Sequence, residues 1–199
     1  MSAQAGGHHS DRPQDRRAAE KRFDDPKAAT RGSPGRSGRR RGCAEPDLMA
    51  AKTVSREVAI SRIRELLGDR LLRIDEKSAR RVFIEVMSSD VPDLTRLMLE
   101  SLKARFQIAS GVDTPTAIEV LYHWALDRSA CVITVRTRLD RETPEIESIV
   151  PICPAAEWIE REMWELLGIR FRNHPDLRHL LLSDDWPEGK FPLRRDYQR

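Results

Sequence analysis

The densest run of side chains able to do chemistry lies between Glu157 and His179. Glu157, Glu160, Glu162 and Glu165 stand close together, and His174, Asp176 and His179 follow. Carboxylates and imidazoles so grouped could hold a divalent cation, or supply the acid and base of a hydrolase with Glu162 and His174 as the pair. Their spacing argues otherwise. On a helix Glu160 and Glu162 lie about 200° apart. His174 and His179 are one position beyond the i, i+4 interval that puts two ligands on one face. The cysteines Cys43, Cys131 and Cys153 are an odd set without C-x-x-C spacing, which argues against a disulfide scaffold, a zinc ribbon or a self-contained iron–sulfur cluster and fits a reducing, cytoplasmic-type compartment. The sequence contains no phosphate loop, no G-x-G-x-x-G and no evident nucleophile–base pair. The expectation is a chain with no catalytic residue, cofactor or metal of its own.

The elements that must position these residues begin after Met49. Ile60, Ile63 and Leu67 recur at helical spacing within Ser55–Leu67, and Gly68 supplies a stop. Leu71–Ile74 and Val82–Met87 read as strands separated by a polar turn, Asp75–Ser78. A helix is expected to start near Pro92 and to present Leu94, Leu97, Met98, Leu102 and Phe106 as one stripe. Ile118, Val120, Tyr122, Trp124 and Leu126 alternate with Glu119 and His123. After Asp127-Arg128-Ser129, the residues Cys131, Ile133, Val135 and Leu139 alternate with Thr134, Arg136 and Arg138, which completes a hairpin. A short strand at Ile146–Val150 leads to a helix from Pro154 to Gly168. That helix is expected to bury Trp158, Ile159, Met163, Leu166 and Leu167 and to expose the pairs Glu157–Arg161 and Arg161–Glu165. Asn173 or His174 would cap a further short helix starting at Pro175. The fold class is therefore α+β: an antiparallel or mixed sheet with helices packed on one side, over residues 49–182.

Composition separates this body from both ends. Only 39% of the chain is apolar and 34% is charged, too polar for a core throughout. Residues 1–48 hold 11 Lys and Arg against 7 Asp and Glu, a net +4, and the whole chain's 35 and 32 leave 24 and 25 for the rest, a net −1. The first 48 residues read as a disordered basic tail, since they cannot bury enough apolar surface to offset ordering. They lack the apolar stretch of a signal peptide, and Met49-Ala50-Ala51-Lys52 resembles an ordinary start, so an untranslated upstream frame is the alternative. Arg39-Arg40-Arg41 is the one feature suited to nucleic acid, against a nearly neutral body. No apolar run approaches the roughly 20 residues of a membrane span. Residues 183–199 contain Pro187, Gly189 and Pro192 among Trp186, Phe191, Leu193 and Tyr197, a pattern suited to an extended segment lying on a partner protein. Folding back on its own sheet is the alternative.

Four stretches in register carry a family likeness: Glu160-Arg161-Glu162, Gly168-Ile169, His174-Pro175-Asp176-Leu177-Arg178 and Pro192-Leu193-Arg194-Arg195-Asp196. In order and spacing they resemble the 30-kilodalton subunit family of respiratory complex I, the NADH:quinone oxidoreductase of respiratory chains. The likeness covers roughly Ser55 to Tyr197.

That resemblance implies a non-catalytic peripheral-arm subunit that docks on the large quinone-site subunit, or on the nickel–iron subunit of hydrogenase relatives, beside neighbouring iron–sulfur subunits. NADH, flavin, iron–sulfur clusters and quinone, or nickel and iron, would all belong to partner subunits. The chain would sit peripherally on the cytoplasmic side of the membrane. Glu160, Arg161, Glu162, His174, Pro175, Asp176, Arg178, Trp186, Phe191, Leu193, Arg194, Arg195, Asp196 and Tyr197 become the candidate signature and partner-binding residues. Arg178 and Arg194 are expected to serve assembly rather than folding. Two departures stand out. Asn173 occupies the usual glycine position, and Gly189-Lys190-Phe191-Pro192 has one extra residue and no His, while Trp186-Pro187-Glu188-Gly189 followed by Phe191-Pro192-Leu193-Arg194 resembles instead the membrane-bound group 4 hydrogenases and formate hydrogenlyase.

Overall fold

The structure, a computed structural model, describes residues 54–198; the expectations for residues 1–48, Cys43 and the Met49 start lie outside the described residues. Helix α1 is Arg56–Leu67, opened by Ser55, whose hydroxyl accepts from the Val58 N–H, and closed by Gly68 at φ 51°. Strands β1 (Leu71–Ser78) and β2 (Arg81–Val86) follow. The polar stretch Asp75–Ser78 does not turn: it continues β1, with Asp75 opposite Phe83 and Glu76 opposite Val82, and the turn is Ala79-Arg80. A polar residue on an edge strand costs little, because one side of it faces water.

Helix α2 (Val91–Arg96) runs into a π-turn at Leu97–Ser101, and the chain reverses at Lys103, φ 50°. The expected apolar stripe therefore breaks before Phe106, which belongs to β3 (Arg105–Asp113) and meets Trp124 edge-on at 5.1 Å. Strands β4 (Ile118–Leu126) and β5 (Cys131–Leu139) form the hairpin read from the sequence, in register from Ile118–Leu139 to Leu126–Cys131. Ala130 takes the left-handed conformation at its turn. Strand β6 is only Glu145–Glu147, shorter than expected, and pairs in parallel with β7 (Arg170–Arg172). Between them lies α3, Glu157–Leu167, with Gly168 as its left-handed cap.

The main sheet has the order β1-β2-β5-β4-β3 and is mixed, because β2 and β5 are parallel while the other pairs are antiparallel. Its inner face carries Ile84, Tyr122, Trp124, Ile133 and Val135, all buried in one cluster with Ile63 of α1, Met98 beyond α2 and Met163 of α3. The outer face is a charge ladder in which Arg136 pairs with Glu85 at 2.6 Å and Arg138 with Glu119 at 3.1 Å. Thr134 also lies on that side, yet it is buried under His123, whose Nδ1 is 3.0 Å from its hydroxyl. Beyond Ser183 the backbone follows four i to i+3 turns, closed by the N–H groups of Trp186, Lys190, Arg194 and Tyr197. No helix among the described residues is long and apolar enough to cross a membrane.

Candidate functional site

Helix α3 is the hub of the signature residues, and it buries a different face from the expected one. Glu160, Arg161, Met163, Glu165 and Leu167 are inside, whereas Trp158 is 68% exposed and Ile159 and Leu166 are half-buried. The expected surface pairs are not formed among the described residues, because the Arg161 and Glu165 side chains bind backbone elsewhere. A buried ion is tolerated only when its hydrogen-bonding capacity is filled, and three on one short helix means three such arrangements.

Glu160 anchors the loop before the helix. Its carboxylate accepts from the Ser148 hydroxyl at 2.6 Å and from the Ile149 N–H at 3.0 Å, while Ser148 accepts from the Val150 N–H. Burial pushes the carboxyl up to about 7, and the Ser148 and Ile149 donors only partly counter it. The Tyr122 hydroxyl, fully buried, is likewise pushed up by burial and by the nearby Glu160 charge, and has no hydrogen-bond partner among the described residues.

Arg161 and Glu165 grip the loop after β7. Arg161 donates Nε to the Arg178 carbonyl at 3.1 Å and Nη2 to the His179 carbonyl at 2.7 Å. Glu165 accepts from the N–H groups of Leu180, Leu181 and Leu182 at 3.0, 2.7 and 3.3 Å, with His179 Nδ1 at 3.3 Å. Burial would raise the Glu165 carboxyl, but the three backbone donors and His179 outweigh it and hold the carboxyl below its ordinary value. These N–H groups are the ones a helix beginning at Pro175 would need to engage internally. Residues 174–182 accordingly form no helix, and Asn173 turns the chain at φ 58°. His174 is not paired with His179. Its Nδ1 accepts from the Asp176 N–H at 3.1 Å, which leaves Nε2 to donate to the Glu157 carbonyl at 3.2 Å. Pro175 is exposed, and Arg178, its side chain 72% exposed, pairs among the described residues only with Asp176, at 2.9 Å.

The C-terminal residues finish the other end of α3. The Leu193 N–H donates to the Leu166 carbonyl at 3.0 Å, and Arg194 donates Nε to the Leu167 carbonyl at 2.6 Å, so two orphan carbonyls of the last turn are satisfied. Arg194 also donates to the Arg141 carbonyl and stands 5.7 Å above the Phe191 ring. Asp113, at the end of β3, receives both arms of Arg141 and the Arg195 N–H. Burial raises the Asp113 carboxyl, but Arg141 and Arg195 overcome it and hold the carboxyl low. Sequence reasoning did not single out Asp113, Arg141 or Ser148. Each owes its role to a contact distant in the chain, and no local pattern marks it.

Trp186 donates Nε1 to the Lys190 carbonyl at 2.8 Å and lines, with Trp164 and Phe191, a cleft of about 490 Å³. Asp196 stands 3.6 Å from Arg141, and Tyr197 is half-buried. Glu162 lies apart from these contacts, in a groove beside β3. The structure thus brings Glu160, Arg161, His174, Phe191, Leu193 and Arg194 into one framework around α3. It leaves Pro175, Arg178 and Arg195 on the surface. Among the described residues no three His, Cys, Asp or Glu side chains converge as metal ligands would.

Comparison with known proteins gives this framework a family context. The family model described as "Respiratory-chain NADH dehydrogenase, 30 Kd subunit" matches residues 84–199. The C subunit of F(420)H(2) dehydrogenase from Methanosarcina mazei is 42% identical over 113 residues, covering 53% of this chain and 71% of that one. The C subunit of NADH-quinone oxidoreductase from Chlorobium phaeobacteroides is 34% identical over 143 residues, covering 68% of this chain and 84% of that one. Among solved structures, a chain of the archaeal membrane-bound sulfane sulfur reductase, a respiratory membrane complex, superposes with a TM-score of 0.61 at 26% identity, covering 71% of this chain and 85% of that one.

Proposed function

Since the chain belongs to the respiratory-chain NADH dehydrogenase 30 Kd subunit family, and is therefore a subunit of an oxidoreductase complex, we propose that it serves as a non-catalytic peripheral-arm subunit. It docks on the large quinone-site subunit and supports assembly, on the cytoplasmic side of the membrane. One observation carries this reading: the charged signature on α3 is engaged inside the chain. Glu160, Arg161 and Glu165 hold loops by their backbone, Arg178 is set outward on one of those loops, and Arg195 is set outward where Asp113 receives its N–H. A rigid, outward-facing surface is what a docking subunit needs. Flavin, iron–sulfur clusters and quinone belong to its partners in this reading.

The electron donor is a separate matter, and the relatives supply the choices: NADH in the family's description, and F(420)H(2) in the name of the Methanosarcina mazei relative. The tail motif Trp186-Pro187-Glu188-Gly189 followed by Phe191-Pro192-Leu193-Arg194 adds the hydrogenase type. Mass spectrometry of the complex that copurifies with the full chain from gently solubilised native membranes decides. Flavin- and NADH-binding subunits beside a nickel-free large subunit establish an NADH:quinone oxidoreductase. A deazaflavin-dependent input subunit establishes the F(420)H(2) type, and a nickel-containing large subunit the hydrogenase type. Absence of any oxidoreductase subunit overturns the proposal and returns attention to nucleic-acid binding by the Arg-rich residues 1–48.

A further inference from the structure

The two edges of the main sheet are protected very differently. β1 carries Arg73, Asp75, Glu76 and Lys77 and two register shifts, the ordinary devices against pairing with another chain. β3, at the other edge, has one register shift near its start and then the uncharged run Ile108-Ala109-Ser110-Gly111-Val112, with no proline. Among the described residues no backbone hydrogen bond reaches β3 from its outer side. Ile108 and Val112 are 50% and 45% exposed. An edge left so bare is a pairing site for any extended segment that reaches it.

Beside this edge lies a groove of about 250 Å³ between β3 and α3, lined by Ile108, Gly111, Ile159, Leu166 and Leu193, with Glu162 as its one charged group. Leu193 in its lining is 59% exposed, and Trp158, next to Ile159 on α3, is 68% exposed. Ile159, Glu162 and Leu166 follow i, i+3, i+7 spacing, so α3 turns a second stripe toward this groove while Met163 and Leu167 fill the core. Glu162 has no hydrogen bond or ion pair among the described residues, and no Lys or Arg lines the groove. Bare strand edge, apolar slot and uncompensated carboxylate meet in one place.

We propose that the β3 edge and this groove receive an extended segment of a partner oxidoreductase subunit. The segment adds a strand to β3, sets an apolar side chain between Ile108 and Leu166, and places a Lys or Arg against Glu162. Main-chain pairing supplies affinity, and the slot and the charge supply the register. The inference rests on the reading of this chain as a complex subunit and adds where the partner lies and what chemistry it brings.

The test uses the tagged full chain in its native membranes. A photoreactive phenylalanine introduced at Trp158 or at Val112 is expected to crosslink to one short stretch of one copurifying oxidoreductase subunit, and that stretch to contain a Lys or Arg. Ile108→Lys and Glu162→Arg are each expected to lower recovery of that subunit at least tenfold with an unchanged thermal unfolding curve, whereas Leu72→Lys on the β1 edge leaves recovery intact. Crosslinks to residues 1–53 of the same chain, or to lipid, overturn the inference, as does full recovery in both groove variants. In each of these cases the unsubstituted chain still copurifies with its complex. If the unsubstituted chain brings down no oxidoreductase subunit, the functional reading itself falls and the groove assignment with it.

Discussion

Arg161 and Glu165, one turn apart on α3, bind the same loop with opposite polarity: Arg161 takes the carbonyls of Arg178 and His179, and Glu165 takes the N–H groups of Leu180, Leu181 and Leu182. Two charges at i, i+4 would ordinarily satisfy each other at the surface for a few tenths of a kcal/mol. Here both are buried, and together they replace the hydrogen bonds that a short helix would have given residues 178–182.

Removing the carboxylate therefore leaves three backbone donors without an acceptor. Glu165→Ala is expected to lower stability by about 3 kcal/mol, on the scale of charge-assisted buried hydrogen bonds. Hydrogen exchange at Leu180, Leu181 and Leu182 should accelerate well beyond that of β4 and β5. Unchanged protection at these three amides would show that the loop is held by something else.

Gly168 joins α3 to the C-terminal residues by having no side chain. It sits at φ 71°, and a Cβ there would lie 2.6 Å from the Phe191 ring. Gly168→Ala must both enter the left-handed region, at about 1 kcal/mol, and displace Phe191. Limited proteolysis is expected to cut Gly168→Ala preferentially after residue 186. Phe191→Ala should cost less in the Gly168→Ala background than in the unsubstituted chain. Strict additivity of the two would mean that they do not touch.

The elements with one clean period were legible from sequence. The β4–β5 hairpin and α1 stand where alternation and the Ser55 and Gly68 caps put them, and the family signature around Glu160-Arg161-Glu162 and His174-Pro175-Asp176 was readable as such. β3 was not legible, because its register shift between Phe106 and Ile108 breaks the period of two and its centre is Ser110-Gly111. The buried face of α3 was misassigned for a different reason. Hydrophobic periodicity assigns Glu and Arg to water, and it cannot register that the partners of Glu160, Arg161 and Glu165 are main-chain groups of Ile149, His179 and Leu181. The same limitation hid Asp113 and Arg141.

Arg178 and Arg194 do different work, contrary to their equal treatment in the signature. Arg194 donates to the carbonyls of Leu167 and Arg141, whereas the Arg178 side chain is outside, held among the described residues only by Asp176. An exposed pair of this kind contributes roughly 0–1 kcal/mol. Arg178→Ala is expected to leave the urea midpoint unchanged and to reduce recovery of the assembled complex. Arg194→Met should lower stability by about 2 kcal/mol, since two part-buried carbonyls lose a charged donor. Equal urea midpoints for the two variants would contradict this division.

Glu160 makes the fold pH-dependent in a direction opposite to most carboxylates. Its ordinary value is 4.5, and burial pushes it up to about 7. Between those values the folded chain holds a proton that the unfolded chain has released. The contribution is thus fully present below about 4.5 and is lost as pH rises through about 7. The gap corresponds to roughly 3 kcal/mol. Glu165 and Asp113, both held low, act in the other sense and lose their contribution as the solution becomes acidic. Gln at position 160 reproduces the protonated carboxyl: its carbonyl can accept from Ile149 while its amide donates to the Ser148 hydroxyl. Denaturant unfolding of Glu160→Gln and the unsubstituted chain is expected to coincide at pH ~4 and to separate progressively toward pH ~8, with the Gln variant the more stable by about 3 kcal/mol. Curves that stay parallel across that interval would mean that Glu160 enters the folded chain already ionised, its charge carried by Ser148 and Ile149 alone.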